Sequence, residues 1–219
     1  MELQALKDLV NHGEGQHLEF KKKASFPDKI VKEMVAFANS EGGHVLIGVD
    51  DDGKIAGLKF ADEEKFVMEK AILDHARPRI RYKSELIPVT KKRAVLSYTI
   101  FESKRKPAYF TENPLQPGKA YIRLDDRSIQ ASRELKEILK RRNSKRGLKI
   151  QYGDKERILM KHLEAHDFIT VRAYSKVAGI PQKVASGTLV YLVLANVLDV
   201  MADEKEDRFS INRVNYDKY

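Results

Sequence analysis

The sequence predicts an α+β fold: a mixed sheet with flanking helices, followed by a small helical unit that ends in a hairpin. Three observations predict it. Segments alternating with period two and segments with helical spacing succeed one another through residues 1–142. Strong punctuators stand between them, notably Gly42-Gly43, Asp52-Gly53 and Pro78. Residues 154–219 instead read as three helices and then two short strands.

Each element has its own signal. A short helix is expected over Glu2–Asn11. In His17–Lys21, Leu18 and Phe20 alternate with Glu19 and Lys21, so a strand should bury the apolar pair and expose the charged one. Pro27 and Asp28 open a helix, because proline suits the first turn and an acid suits the N-terminal dipole. Ile30, Met34, Phe37 and Ala38 give that helix an apolar face, and Gly42-Gly43 ends it. His44–Val49 reads as a buried strand, with the Asp52-Gly53 turn leading into Lys54–Leu58. A second helix is expected over Asp62–Ala76, burying Phe66, Ala71, Ile72 and Leu73. Strands follow near Arg79–Pro88, Ala94–Phe101, Ala108–Phe110 and Ala120–Leu124, and Ser132 can cap a helix running to Arg142.

The string EFK (Glu19–Lys21) with AFANSEGGHVLIGVDDDGKIAG (Ala36–Gly57) resembles the Schlafen/AlbA-type domain. The likeness extends through KPAYF (Lys106–Phe110), AYIRLDD (Ala120–Asp126) and the helix Ser132–Arg142. It implies a nucleic-acid-binding α+β module, common in bacterial transcriptional regulators. It divides the chain into a Schlafen/AlbA-like domain over 1–142, a basic linker over 143–153 and a second domain over 154–219.

Charge points the same way. Residues 1–153 carry 31 Lys+Arg against 22 Asp+Glu, while residues 154–219 carry ten of each, which accounts for the net charge of +9. Concentrated cations suit a phosphate backbone through counterion release. The candidate contacts are Arg79, Arg81 and Lys83, which alternate after Arg77; Lys91, Lys92 and Arg93; Lys104, Arg105 and Lys106; and Lys21 beside the EFK acids. DNA is the expected partner and RNA the alternative; a protein-interaction scaffold would make these clusters incidental. No cysteine is present, so disulfides, thiolate metal sites and cysteine catalysis are excluded. The longest apolar run, Leu189–Ala195, is too short to cross a bilayer, and MELQALKDLV has no signal-peptide core, so a cytoplasmic protein is expected.

Two chemistries compete with plain binding. Gly48–Lys54 fits G-x-x-x-x-G-K, but three aspartates occupy the loop and Ile55 follows the lysine, so a hairpin rather than an ATP site is expected. The resemblance also implies a second possibility, because some Schlafen proteins are metal-dependent endoribonucleases acting on structured RNA. On that reading Glu14, Glu19 and Asp50, with Asp51 as the substitute, would be the catalytic acids holding Mg²⁺ or Mn²⁺, and Lys21 would steady the phosphate. On the plain reading Glu19 and Lys21 form an ion pair and the aspartates belong to a turn.

The second domain resembles a small winged helix-turn-helix. Its expected elements are Asp154–His166, a helix capped by Thr170, the Ile180-Pro181 turn, the long helix Gln182–Ala195 and a hairpin from Val197–Met201 and Arg208–Ile211. Gln182 and Lys183 are its candidate base or phosphate contacts. LVYLVLANVL is apolar on too many sides for a solvated reader, and ADEKEDRF places four acids in the wing, which would repel phosphates. Homodimerisation, or packing on the first domain, is therefore expected of that helix.

Overall fold

The computed structural model describes residues 1–113, 115–142 and 152–213. They form two compact units, Met1–Gln130 and Ala131–Tyr219. In chain order the first contains α1 (Leu3–Val10), β1 (Leu18–Lys21), α2 (Pro27–Asn39), β2 (Gly43–Ile47), α3 (Ala61–His75), β3 (Ala76–Arg77), β4 (Tyr82–Thr90), β5 (Arg93–Ile100), β6 (Tyr109–Phe110), β7 (Tyr121–Leu124) and β8 (Arg127–Gln130).

A four-stranded sheet in the order β1-β2-β5-β4 organises this unit. The β1–β2 pair is parallel and the other two are antiparallel, so the sheet is mixed. Period-two alternation sends Val45, Ile47, Leu96, Tyr98 and Ile100 into one core with Met34 and Phe37 of α2 and Met68 and Ile72 of α3. The opposite face places Phe20, Leu46, Ile87 and Val95 against Leu6 and Val10 of α1. Both faces of β1 are thus covered. Glu19, expected at the surface, is 7% exposed.

The end of α2 explains the glycine pair. The Gly42 N–H returns to the Phe37 carbonyl at 2.9 Å, in a left-handed conformation with φ of 80°. A Cβ there would lie 2.7 Å from the Ile100 carbonyl oxygen. One on Gly43 would lie 2.5 Å from the Phe37 ring. Only glycine lets helix and strand approach so closely.

Several elements depart from expectation. Helix α3 docks through Ala61, Met68, Ala71 and Ile72, leaving Phe66 71% and Leu73 50% exposed. Phe66 is two residues from Met68, about 200° around the helix, so the two cannot face one core. The arginine-rich strand begins only at Tyr82, because Ala76 and Arg77 are drawn into pairing with β6 instead. The β2 hairpin is reduced to a Val49–Ile55 bridge around the aspartate turn. β8 pairs with β7 through a two-residue turn, Asp125-Asp126, with Asp125 at a φ of 54°.

The second unit contains α4 (Arg133–Arg141), α5 (Asp154–Ala165), α6 (Val171–Val177), α7 (Gln182–Leu194), β9 (Leu198–Met201) and β10 (Arg208–Ile211). β9 and β10 pair antiparallel, and the chain bends by 114° between α6 and α7. Leu159, Leu163, Tyr174, Leu189, Val193, Leu198 and Phe209 share its core with Ile138 of α4.

Helix α4, expected to close the first domain, therefore packs with the second. Ser132 caps α4 by accepting from the Leu135 N–H at 3.0 Å and bonds to Asp207, while Glu134 bonds to Ser186 of α7. The break falls at Gln130–Ala131 rather than after 142. Of the expected linker 143–153, residues 143–151 lie outside the described residues. The apolar surplus of α7 is used inside this unit: Leu189, Val190, Leu192 and Val193 are all buried, and α4 supplies cover that the 154–219 boundary left out.

Moving the boundary moves the charge. Residues 1–130 hold 23 Lys+Arg and 20 Asp+Glu, a balance of +3; residues 131–219 hold 18 and 12, a balance of +6. The eight cations and two acids of residues 131–153 account for that second balance.

Candidate functional site

The EFK strand, the end of α2 and the KPAYF and YIRL segments meet around one arginine. Arg123 of β7 is buried, with its guanidinium 4.6 Å from the centre of the Phe37 ring. Its Nη1 donates to Glu19 Oε2 at 3.0 Å, Glu33 Oε2 at 3.1 Å and Ser128 Oγ at 3.3 Å, and its Nη2 donates to the Gly15 carbonyl at 2.7 Å. Nε alone is buried without a hydrogen-bond partner. The other oxygen of Glu19 accepts from Lys21 Nζ, which also donates to the Phe20 carbonyl at 2.8 Å.

Asn39 and Ser40 extend this joint. Buried Asn39 donates to the Ala108 and Tyr121 carbonyls at 2.8 Å each and accepts from the Ala108 N–H at 2.6 Å. Ser40 Oγ accepts from the Arg123 N–H at 2.9 Å, and the Ser40 carbonyl accepts from Lys106 Nζ at 2.7 Å. These bonds satisfy backbone groups of Ala108, just before β6, and of the β7 edge that β8 does not pair. The sequence gives no sign of Arg123, Glu33, Asn39 and Ser40, because the segments they join lie 66–108 residues apart.

The three expected metal ligands each have another partner. Glu14 Oε1 accepts from the Phe20 N–H at 2.7 Å. Although Glu14 is exposed as a residue, desolvation of its carboxyl raises its pKa; the Phe20 bond and Lys21 oppose this, and Glu19 and Asp51 add to it. Both Glu19 oxygens are engaged by cations. Asp50 Oδ1 lies 3.4 Å from Lys22 Nζ, and Asp51 is the turn acid whose charge acts on Glu14. Among the described residues no group of three His, Asp or Glu side chains is placed to hold a metal. With Glu14 on a backbone N–H and Glu19 between two cations, the arrangement does not fit a metal ion. The glycine-lysine segment is likewise a turn: the Asp50 N–H donates to the Lys54 carbonyl at 3.0 Å, and the next helix starts at Ala61. It does not gather N–H groups at a helix start as a phosphate loop does.

The candidate nucleic-acid contacts separate into committed and exposed groups. Lys21 is committed to Glu19, and Lys106 to Ser40 and Glu102. Arg93 is exposed, yet its Nη1 reaches the Gly57 carbonyl at 2.9 Å. Arg79, Arg81, Lys83, Lys91, Lys92, Lys104 and Arg105 are exposed. Lys83 pairs with Glu85, and Arg81 lies 5.3 Å over the Phe101 ring. Gln182 and Lys183 are exposed at the start of α7. Arg133, Lys140 and Arg142 are exposed on or beside α4.

The acids between β9 and β10 are mostly consumed. Glu206 accepts from the Arg172 N–H at 3.0 Å, Asp203 pairs with Arg208 at 3.1 Å, and Asp207 is buried against Ser132. Burial pushes the Asp207 carboxyl up, against that hydrogen bond. The repulsion expected from four projecting acids is correspondingly reduced.

Two solved structures are similar in part. One is the solution structure of the N-terminal domain of a protein related to the ATP-dependent DNA helicase RecG, from Nitrosomonas europaea: 24% identity, TM-score 0.45, covering 57% of this chain and 89% of that one. The other is the crystal structure of the DIP2311 protein from Corynebacterium diphtheriae: 18% identity, TM-score 0.44, covering 62% of this chain and 29% of that one. The family profile described as Schlafen, AlbA_2 matches residues 14–132, which span the sheet, α2, the Arg123 joint and the cap of α4. The match takes in more than half of the sequence, and the chain belongs to the Schlafen, AlbA_2 family.

Proposed function

We propose that the protein binds nucleic acid, and specifically that it is a DNA-binding transcriptional regulator whose second unit is a winged helix-turn-helix. Family membership supports the general association. The observation that carries the specific reading is the charge of residues 131–153, eight cations to two acids, within a unit that has helix-turn-helix order. A bend of 114° between α6 and α7 suits that motif, whose helices cross at roughly 90–120°. On this reading α7 presents Gln182 and Lys183 to the major groove, and the α4 cations hold phosphates.

Anisotropy of a labelled duplex with the full chain, titrated across salt, tests this. The expected log–log slope is steeper than about −3, from more than three released counterions. Replacing Gln182 and Lys183 by alanine is expected to cost about 1–3 kcal/mol of duplex affinity. A chain that binds no duplex at low salt would overturn the DNA reading.

A further inference from the structure

We infer that the end of the first unit's sheet around Arg81 and Phe101 is a stacking site for the unpaired bases of a single-stranded nucleic acid. The inference rests on the nucleic-acid reading above and extends it to a second surface. Strand register carries it. His44, Thr99 and Lys83 are direct neighbours across β2, β5 and β4. Alternation puts them on the α1 face of the sheet, with Leu46 and Val95. The Phe101 N–H donates to the Arg81 carbonyl at 3.0 Å, which continues the β4–β5 ladder by one pair. Phe101 and Arg81 therefore form the next row on the same face, about 7 Å beyond.

Helix α1 covers only the other half of this face, over Phe20, Leu46, Ile87 and Val95. At the boundary Glu85 takes both Lys83 and the N-terminal ammonium at 2.8 Å, which hold its carboxyl down to about 2. Beyond it the face opens. Phe101 is 40% exposed, Arg81 and Lys83 are exposed, and His44 and Thr99 are half-buried. Exposed Arg79 and Arg105 border the two rows in sequence.

The chemistry selects an unpaired nucleotide. An aromatic ring on an open strand offers a π-surface that a base can cover, and the Arg81 guanidinium beside it adds a charge for the strand's phosphate. Lys83 lies one row away, at the reach of the attached phosphate. A duplex hides its base faces and cannot use Phe101, while DNA and RNA single strands share the required groups.

The test uses the full chain with labelled 20-mers, longer than a site of roughly 4–16 nucleotides, as single-stranded DNA, single-stranded RNA and duplex. Phe101→Ala is expected to weaken single-strand binding about 5- to 150-fold, the equivalent of one lost stack, and to leave duplex affinity within about twofold. Phe101→Tyr is expected to retain binding. The chain has no tryptophan, so Phe101→Trp places one indole at the site, and its emission is expected to be quenched on saturation. Unchanged single-strand affinity in Phe101→Ala overturns the inference, as does an indole insensitive to saturating single strand. If duplex still binds, the broader reading survives that failure; if no oligonucleotide binds at all, both fall. A stronger effect on RNA than on DNA would assign the strand to RNA and keep the site.

Discussion

Arg123 and Arg81 each lie over a phenylalanine ring, at 4.6 and 5.3 Å, yet they do opposite things. Arg123 is buried and meets two carboxylates, a hydroxyl and a carbonyl. Arg81 is exposed beside an exposed ring. Desolvating a guanidinium is tolerable only with its charge and donors nearly all matched, which leaves little for a ligand. An exposed guanidinium keeps that capacity. The most motif-like charged residues of this chain are therefore a structural joint, and the plainer cations near the sheet end remain open to a partner.

The comparison breaks first at Arg123. Arg123→Ala removes one charge and leaves Glu19 and Glu33 facing a buried gap, at an expected cost of about 3–5 kcal/mol. Urea unfolding monitored by circular dichroism checks it. A loss below about 1 kcal/mol would mean that water enters the joint and that the two arginines are not so different.

Next in size is Asn39→Ala, which removes three hydrogen bonds and leaves the Ala108 N–H and two carbonyls without that partner. About 2–3 kcal/mol is expected, from the desolvation left uncompensated. Glu19→Gln should cost less, about 1.5–2 kcal/mol, since the amide keeps the shape and one acceptor while Glu33 remains to Arg123. A ribonuclease activity abolished by Glu19→Gln without loss of stability would reverse the assignment of this residue to the joint.

Local order was legible where one helix face or one turn decided it. Leu18 and Phe20, the Gly42-Gly43 stop, the Ser132 cap and the Thr170 cap all stand as their neighbours predict. Contacts between distant segments were not. Glu19 looked solvated because alternation gives two faces without saying that both are covered. The boundary after 142 followed the end of a helical pattern, whereas α4 belongs where Ile138, Ser132 and Glu134 find partners. The surplus cations of residues 131–153 go with that helix. The family resemblance implies a site at the EFK acids, but Arg123, 104 residues from Glu19, engages Glu19.

The smallest expected effect is the sharpest discriminator. Arg81→Ala is expected to change unfolding free energy by no more than about 0.5 kcal/mol, as for an exposed side chain without a buried partner. In single-strand binding the same substitution should reduce the magnitude of the salt slope by about 0.7, the share of one phosphate contact on a flexible strand. The contrast with Arg123→Ala is then complete: there the slope measured on the surviving folded fraction should stay put while stability collapses. The two readouts separate the roles, since a merely structural arginine moves the first and a phosphate contact moves the second. If Arg81→Ala destabilised the fold by more than about 1 kcal/mol, the Arg81–Phe101 pair would be a packing contact of the sheet end, and the open face would lose its claim to a ligand.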